Sequence, residues 1–236
     1  MSASGPSRVA VLPPTLFVTG TDTGVGKTVV TAALAAALSA GGRSVAVYKP
    51  TQAGLEDGAG DIDRVRALGG IDDVHEGIRL RHPMAPVAAA EREGVTLPTA
   101  AAHVSTIQRL ASEHDHTLVE GAGGVLVQLD SAGRTLADIA VLAHGATAAI
   151  VVCSAALGTL NHTELTIEAL ARRGVPLAGL IIGSWPREPT EINVTNRRYL
   201  RRHSVPLLGA VPEQAGKLPP AEFQSAAPAW FVALAA

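Results

Sequence analysis

A chain of 236 residues is long enough to fold one large α/β domain around a full core. Its formal net charge of −2 provides no basic field to hold nucleic acid or a membrane surface, and two Trp, two Tyr and three Phe offer no stacking platform for exposed bases. The 47% hydrophobic content and 24 Gly fit a buried parallel sheet covered by Ala-rich helices.

Cys153 is the single cysteine, which rules out an intrachain disulfide and points to a reducing, cytoplasmic compartment. No stretch approaches the ~20 apolar residues of a membrane span, so a soluble protein is expected. Residues 1–14 carry Pro6, Pro13 and Pro14 and lack the unbroken apolar run of a signal peptide. They read as a flexible N-terminal extension to a single domain over 15–236. Arginine dominates the basic residues, 16 Arg against Lys27, Lys49 and Lys217. In a chain with that bias, a lysine marks a place where a compact ammonium is needed.

The run Thr15-Leu16-Phe17-Val18-Thr19 predicts a first strand. Gly20 to Thr28 follows, and a helix from Thr28 to Ala40 stops at Gly41-Gly42. Strand, glycine-rich loop and helix in that order make a phosphate-binding loop (P-loop). Its amides and the positive end of the helix converge on a polyphosphate, Lys27 reaches the β and γ oxygens, and the Thr28 hydroxyl holds Mg²⁺. The loop is a variant, because the first Gly of the general pattern falls on Thr21 here and Gly20 stands one residue earlier.

Ser44 to Pro50 predicts a second strand that ends where Pro50 removes a donor, with Lys49 at its carboxyl end. Thr51 to Gly60 is a Gly-rich acidic loop, and a helix runs from Asp61 to Leu68, with Asp61 either a metal ligand or a plain helix cap. A short apolar piece near Ile78 to Leu80, a helix from Val87 to Arg92 and another from Thr99 to Glu113 come next. Strand Thr117 to Glu120 enters Gly121-Ala122-Gly123-Gly124, and Val125 to Leu129 is expected to continue extended. The alternation closes with helix Leu136–Ala143, strand Ala148–Cys153, helix Thr159–Arg172, strand Leu177–Ile182, a helix near Ile192 to His203, strand Pro206–Val211 and an Ala-rich C-terminal helix.

Glu120 at a strand end, facing the P-loop, joins Thr28 and Asp61 in an oxygen-ligand set suited to Mg²⁺. Lys49 is either a snorkelling surface lysine or a second positive charge over the transferring phosphate. Cys153 reads as a small core residue, and Arg197, Arg198, Arg201 and Arg202 read as a solvated helix face. Asp22 is expected to stabilise the loop's turn.

Four strings together resemble the dethiobiotin synthetase family: Val18 to Thr28, Tyr48-Lys49-Pro50, Leu118 to Gly124 and Leu157-Gly158-Thr159-Leu160-Asn161-His162. The resemblance implies a three-layer α/β P-loop-type fold with a mostly parallel seven-stranded sheet and helices on both faces. It also implies a homodimer with the substrate site at the subunit interface, and an Mg²⁺-dependent ligase that uses ATP or another nucleoside triphosphate. Its substrates would be 7,8-diaminononanoate and CO2 or bicarbonate.

On the same resemblance Lys27 and Lys49 are catalytic, and Thr28, Asp61 and Glu120 hold the metal. Nucleotide positions are Thr23, Gly24, Val25, Gly26, Lys27, Thr28, Val29, Asp61, Glu120, Gly121, Ala122, Gly123, Gly183, Ser184, Pro212, Glu213 and Gln214. Substrate positions are Lys49, Thr51, Ala53, Gly123, Gly124, Leu157, Gly158, Thr159 and Asn161, with the segment from Leu157 supplied by the partner subunit. Three departures stand out: Gly24 where some relatives carry Glu, Ala53 where a hydroxyl is common, with Thr51 as its candidate substitute, and Gly183-Ser184 where relatives carry Asn-Asp. Loss of the Asn amide predicts relaxed base preference. The competing reading is a regulatory ATPase of the partitioning or nitrogenase-reductase type. Such loops carry an early Lys where this one has Gly20 and Thr21.

Overall fold

The computed structural model describes residues 10–54, 60–232 and 234–235. Most of the Gly-rich segment between Thr51 and Gly60, and most of the N-terminal extension, lie outside the described residues. Within the rest, a two-residue strand β1 (Ala10–Val11) leads to β2 (Thr15–Gly20), α1 (Lys27–Ala40), β3 (Val45–Ala53), α2 (Asp61–Gly69) and β4 (Val74–Leu80). The chain continues through α3 (Pro86–Glu93), α4 (Ala100–Glu113), β5 (His116–Gly124), α5 (Leu136–Ala143), β6 (Thr147–Cys153) and α6 (Thr159–Arg172). It closes with β7 (Leu177–Trp185), α7 (Glu191–Leu200), β8 (Leu207–Pro212), α8 (Pro220–Ala226) and β9 (Leu234–Ala235).

Seven strands form one sheet in the order β4-β3-β5-β2-β6-β7-β8. The expectation of a mostly parallel sheet sharpens, since every pairing in it is parallel. The central strand β6 is apolar at every position after Thr147 because both of its faces are covered. Along β2, Leu16 and Val18 join the core shared with α1, α2 and α8, whereas Phe17 joins the core shared with α4, α5 and α6. Ile150 and Val152 against Ala149, Val151 and Cys153 repeat that division along β6. Fully burying one such Leu or Ile contributes roughly 1.5–3 kcal/mol, so the two cores on either face fix the sheet and hence its carboxyl edge. Cys153 lies in the second core as expected, its thiol pushed up to about 12 by burial.

Three local expectations are corrected. β3 does not end at Pro50: pairing with β4 resumes at Thr51 opposite Ile78 and runs to Ala53, so the missing donor interrupts the ladder at one residue only. Val125 to Leu129 does not continue β5, because Gly123 takes a left-handed φ of 60° and the Val127 amide turns back to the Gly124 carbonyl at 3.1 Å. Asp61 is not the cap of α2; Gly60 holds that place, and the Asp63 carboxylate accepts its amide at 2.9 Å, which frees the Asp61 side chain. Of the N-terminal stretch, Ala10–Val11 pairs in parallel with Leu234–Ala235, and Leu12 is buried. Among the described residues no helix is long and apolar enough to cross a membrane.

Candidate active site

The parallel sheet brings the ends of β2, β3, β5, β7 and β8 to one edge, and a cleft of about 820 Å³ opens there. Its floor is the P-loop between β2 and α1. Gly24 and Gly26 take φ of 75° and 98°, values that favour glycine and that let the loop curl. Gly26 caps α1 with no side-chain acceptor, so the first amides of the helix stay available to an anion. Asp22 stabilises this shape as expected: its carboxylate accepts the Thr23 amide at 2.7 Å, and its carbonyl accepts Lys27 Nζ at 2.9 Å.

Lys49, Thr51 and Ala53 line the cleft together because residues two apart on a strand share a face. The snorkelling alternative for Lys49 falls, since the residue is 2% exposed. Its Nζ lies 2.7 Å from Asp61 Oδ2 and donates to Glu120 Oε1 at 2.9 Å. Glu120 is 1% exposed at the β5 end, and Thr28 Oγ1 donates to the same Oε1 at 2.9 Å. The second oxygen, Glu120 Oε2, is buried without a partner, as is Thr51 Oγ1. A buried carboxylate oxygen left unpaired is costly. An oxygen set of one hydroxyl and two carboxylates with a free lone pair fits a small hard cation that keeps waters of its own.

The charges reinforce one another. Burial opposes the Lys49 ammonium, but the Glu120 and Asp61 carboxylates outweigh it and raise its pKa above 10.5. Asp61 is pulled below 3.8 because Lys49 overcomes its burial. Lys27 moves the other way, lowered from 10.5 by burial, with the neighbouring Lys49 charge adding to it. A raised lysine pKa gives stability that is complete below 10.5 and lost above the folded value. A lowered Asp pKa gives stability that is complete above 3.8 and lost as pH falls through the folded value. The Lys49–Asp61 pair therefore adds no slope to thermal stability between about pH 5 and 9. Lys27, by contrast, is expected to bring down kcat/KM on the alkaline side before pH 10.5. A pH series of melting midpoints and of kcat/KM checks both, and an alkaline limb above 10.5 contradicts the lysine assignment.

Most expected nucleotide positions line the cleft: Thr23, Gly24, Gly26, Lys27, Thr28, Val29, Asp61, Gly121, Ala122, Gly123, Gly183, Ser184, Pro212 and Gln214. Glu120 stands just behind it, bonded to Thr28 and Lys49. Val25 instead lines a second cavity of about 310 Å³ on the outer side of the loop, together with Leu157 and Thr159. Gly124, Gly158, Asn161 and Glu213 line neither cavity. The cleft also takes in Arg64, residues 83–86, Val127, Ala215 and Gly216, which carry no signal in the sequence, and Lys217. Lys217 stands out in the sequence only as one of three lysines. The Arg cluster on α7 is not uniformly solvated, because the Arg197 guanidinium lies 4.6 Å over the Trp185 ring.

Gly183 has a role that its sequence does not reveal. A Cβ placed on it would collide with the Val25 carbonyl oxygen and come within 2.7 Å of Val152 Cγ1, and a Cβ on Gly26 would lie 2.7 Å from the Gly183 oxygen. The end of β7 and the P-loop thus touch backbone to backbone.

Fold and edge together define a nucleotide-binding P-loop protein of the three-layer α/β class. A family model described as an AAA domain matches residues 14–220. The chain is 52% identical over 221 residues to the ATP-dependent dethiobiotin synthetase BioD of Streptomyces coelicolor, covering 92% of this chain and 91% of that one. It is 49% identical over 218 residues to the protein of the same name from Rhodococcus jostii, covering 92% and 94%. The chain belongs to the dethiobiotin synthetase family. Among solved structures, the septum site-determining protein MinD of Pyrococcus horikoshii, complexed with Mg-ADP, superposes with a TM-score of 0.58 at 20% identity, over 96% of this chain and 94% of that one. That likeness is one of fold alone.

Proposed function

We propose that the chain is an Mg²⁺-dependent ligase that converts 7,8-diaminononanoate and CO2 to dethiobiotin at the expense of a nucleoside triphosphate. The observation that carries this reading is the burial of a second lysine, Lys49, between Glu120 and Asp61 beside the P-loop lysine. Phosphoryl transfer needs alignment and preorganised charge more than a nucleophile from the protein.

One amine of the substrate adds to CO2 and loses a proton, giving a carbamate. A carbamate oxygen attacks the γ phosphorus and displaces the nucleoside diphosphate, forming a carbamic–phosphoric anhydride. The second amine then attacks the carbonyl carbon and expels phosphate, closing the ureido ring. Lys27 and Lys49 neutralise the charge that gathers on the carbamate and γ oxygens. The two carboxylates fix Lys49 in place, so its ammonium needs no rearrangement as that charge develops. Thr28, Asp61 and Glu120 would hold Mg²⁺, which supplies charge neutralisation on the phosphates. Thr51 Oγ1, buried and unpartnered, supports its role as the hydroxyl that Ala53 lacks.

We assign the nucleotide to the cleft from the P-loop to Pro212 and Gln214, with its base beside Gly183 and Ser184. The diamine belongs between Lys49, Thr51 and Gly123 of one copy and the Leu157 segment of a second copy of the chain. A homodimer agrees with the exposed apolar side chains of α5 and α6, Val141, Leu142 and Leu165, and with Leu157, 82% exposed in the loop before α6.

Phosphate release is expected to require diaminononanoate together with bicarbonate. ATP, CTP and GTP are expected to support it with kcat/KM values within about tenfold of one another, since no side chain at 183 pairs with the base. Release with nucleotide alone identifies a regulatory ATPase instead. Strong ATP selectivity removes the argument from Gly183.

A further inference from the structure

The loop Ser154–Gly158, which joins β6 to α6, is braced from α7 by two asparagines that no part of the reaction uses. Asn196 is 7% exposed, and its Nδ2 donates to the Ala155 carbonyl at 3.1 Å and to the Ala156 carbonyl at 3.0 Å. Asn193 Nδ2 donates to the same Ala155 carbonyl at 3.0 Å. The Ser154 carbonyl is taken by Thr159 Oγ1 at 2.7 Å. Three successive carbonyls are thus turned inward and satisfied by side chains. The tip that follows them, Leu157, is thrust 82% into solvent beside the outer face of the P-loop.

We propose that Asn193 and Asn196 are positioning residues that set the loop carrying the diamine contacts, a role that rests on the functional reading above. A surface loop with no task does not need a buried amide to hold it. Leaving inward-turned carbonyls unpaired is costly, which explains the bonds but not why the loop turns inward at all. The shape matters because Leu157 and Thr159 must meet a small substrate held by Lys49 of a second copy of the chain, and a misplacement of about 1 Å can cost 10²-fold in rate.

Asn193 allows bracing to be separated from helix capping. Its Oδ1 accepts the amide and hydroxyl of Thr190, the N-cap of α7, each at 2.8 Å, while its Nδ2 braces the loop. Asn193→Asp keeps the capping oxygen, removes the Nδ2 donor and places a carboxylate against the Ala155 carbonyl. Asn196→Asp does the same in the buried position. Binding of 7,8-diaminononanoate and of nucleotide is measured separately by calorimetry on wild type and both variants, with melting midpoints alongside. The expected result is at least tenfold weaker diamine binding in Asn193→Asp, with nucleotide affinity within twofold of wild type and α7 still folded. Equal diamine binding in wild type and Asn193→Asp overturns the bracing role while leaving the reaction assignment intact. Parallel loss of diamine and nucleotide binding overturns it too, since that marks general unfolding. Failure of the wild type to bind the diamine at all removes the functional reading, and the bracing role with it.

Discussion

Lys49→Arg is expected to lower kcat by about 10²–10³-fold while leaving the fold and nucleotide binding nearly unchanged. The side chain is almost wholly buried, and three oxygens set its ammonium: Asp61 Oδ2, Glu120 Oε1 and, at 3.4 Å, the Gly121 carbonyl. A guanidinium retains the charge that Glu120 needs, so stability survives. Its plane is wider than an ammonium and cannot sit among these oxygens while also facing a carbamate and a γ-phosphate. Lys49→Ala asks a different question. It leaves the Glu120 carboxylate buried with only Thr28 as partner, and breaking a buried pair from one side costs about 3–5 kcal/mol. Its low activity would therefore confound folding with catalysis. The informative set is Lys49→Arg with the double variant Lys49→Met, Glu120→Gln, which removes both charges together. Single-turnover rates on folded protein decide the matter, and near-normal turnover in Lys49→Arg takes Lys49 out of the reaction.

The lysine and its carboxylates were legible in the chain because each follows from a local rule. A strand former run ahead of Gly20 to Thr28 marks the P-loop, Lys49 precedes a proline, and Glu120 precedes a glycine cluster. In a parallel sheet these all come to the same edge. Asp61 was ambiguous between ligand and cap for a local reason too, since acidic residues suit both. Only Gly60 in the cap position and the Asp63 carboxylate on its amide resolve it. What was not legible depends on contacts between distant segments. Arg64 reaches the rim of the cleft by donating to the Gly216 carbonyl at 3.2 Å, 152 residues away. Tyr48, legible as a strand residue and as part of the string Tyr48-Lys49-Pro50, pairs with His103 Nδ1 at 2.7 Å, 55 residues away. Neither partner carries a periodic or motif signal, so no reading of spacing could pair them.

Gly183 is the sharpest such case, and its replacement gives the second large effect. From the sequence, Gly183 reads as a lost base contact, so Gly183→Asn should restore adenine selectivity. The packing argues the reverse. The Cβ of any residue there meets the Val25 carbonyl and Val152, and the neighbouring loop residue Gly26 is held against the Gly183 oxygen in turn. Backbone atoms cannot swing aside as a side-chain end can, so β7 and the P-loop must part. Overpacking of this kind costs about 1–3 kcal/mol, and here it falls on the loop whose amides hold the phosphates. Gly183→Asn is expected to weaken ATP, CTP and GTP binding alike, by tenfold or more, and to lower the melting midpoint. Gly183→Ala, which adds only the offending Cβ, should do most of the same damage. That graded pair separates the two accounts, because an alanine carries no amide to read a base. If Asn tightens ATP relative to CTP while Ala binds all three nucleotides as the wild type does, the glycine is a missing reader. If both weaken all three together, it is the contact on which the P-loop rests, and relaxed base preference is the consequence of packing that no side chain at this position could satisfy.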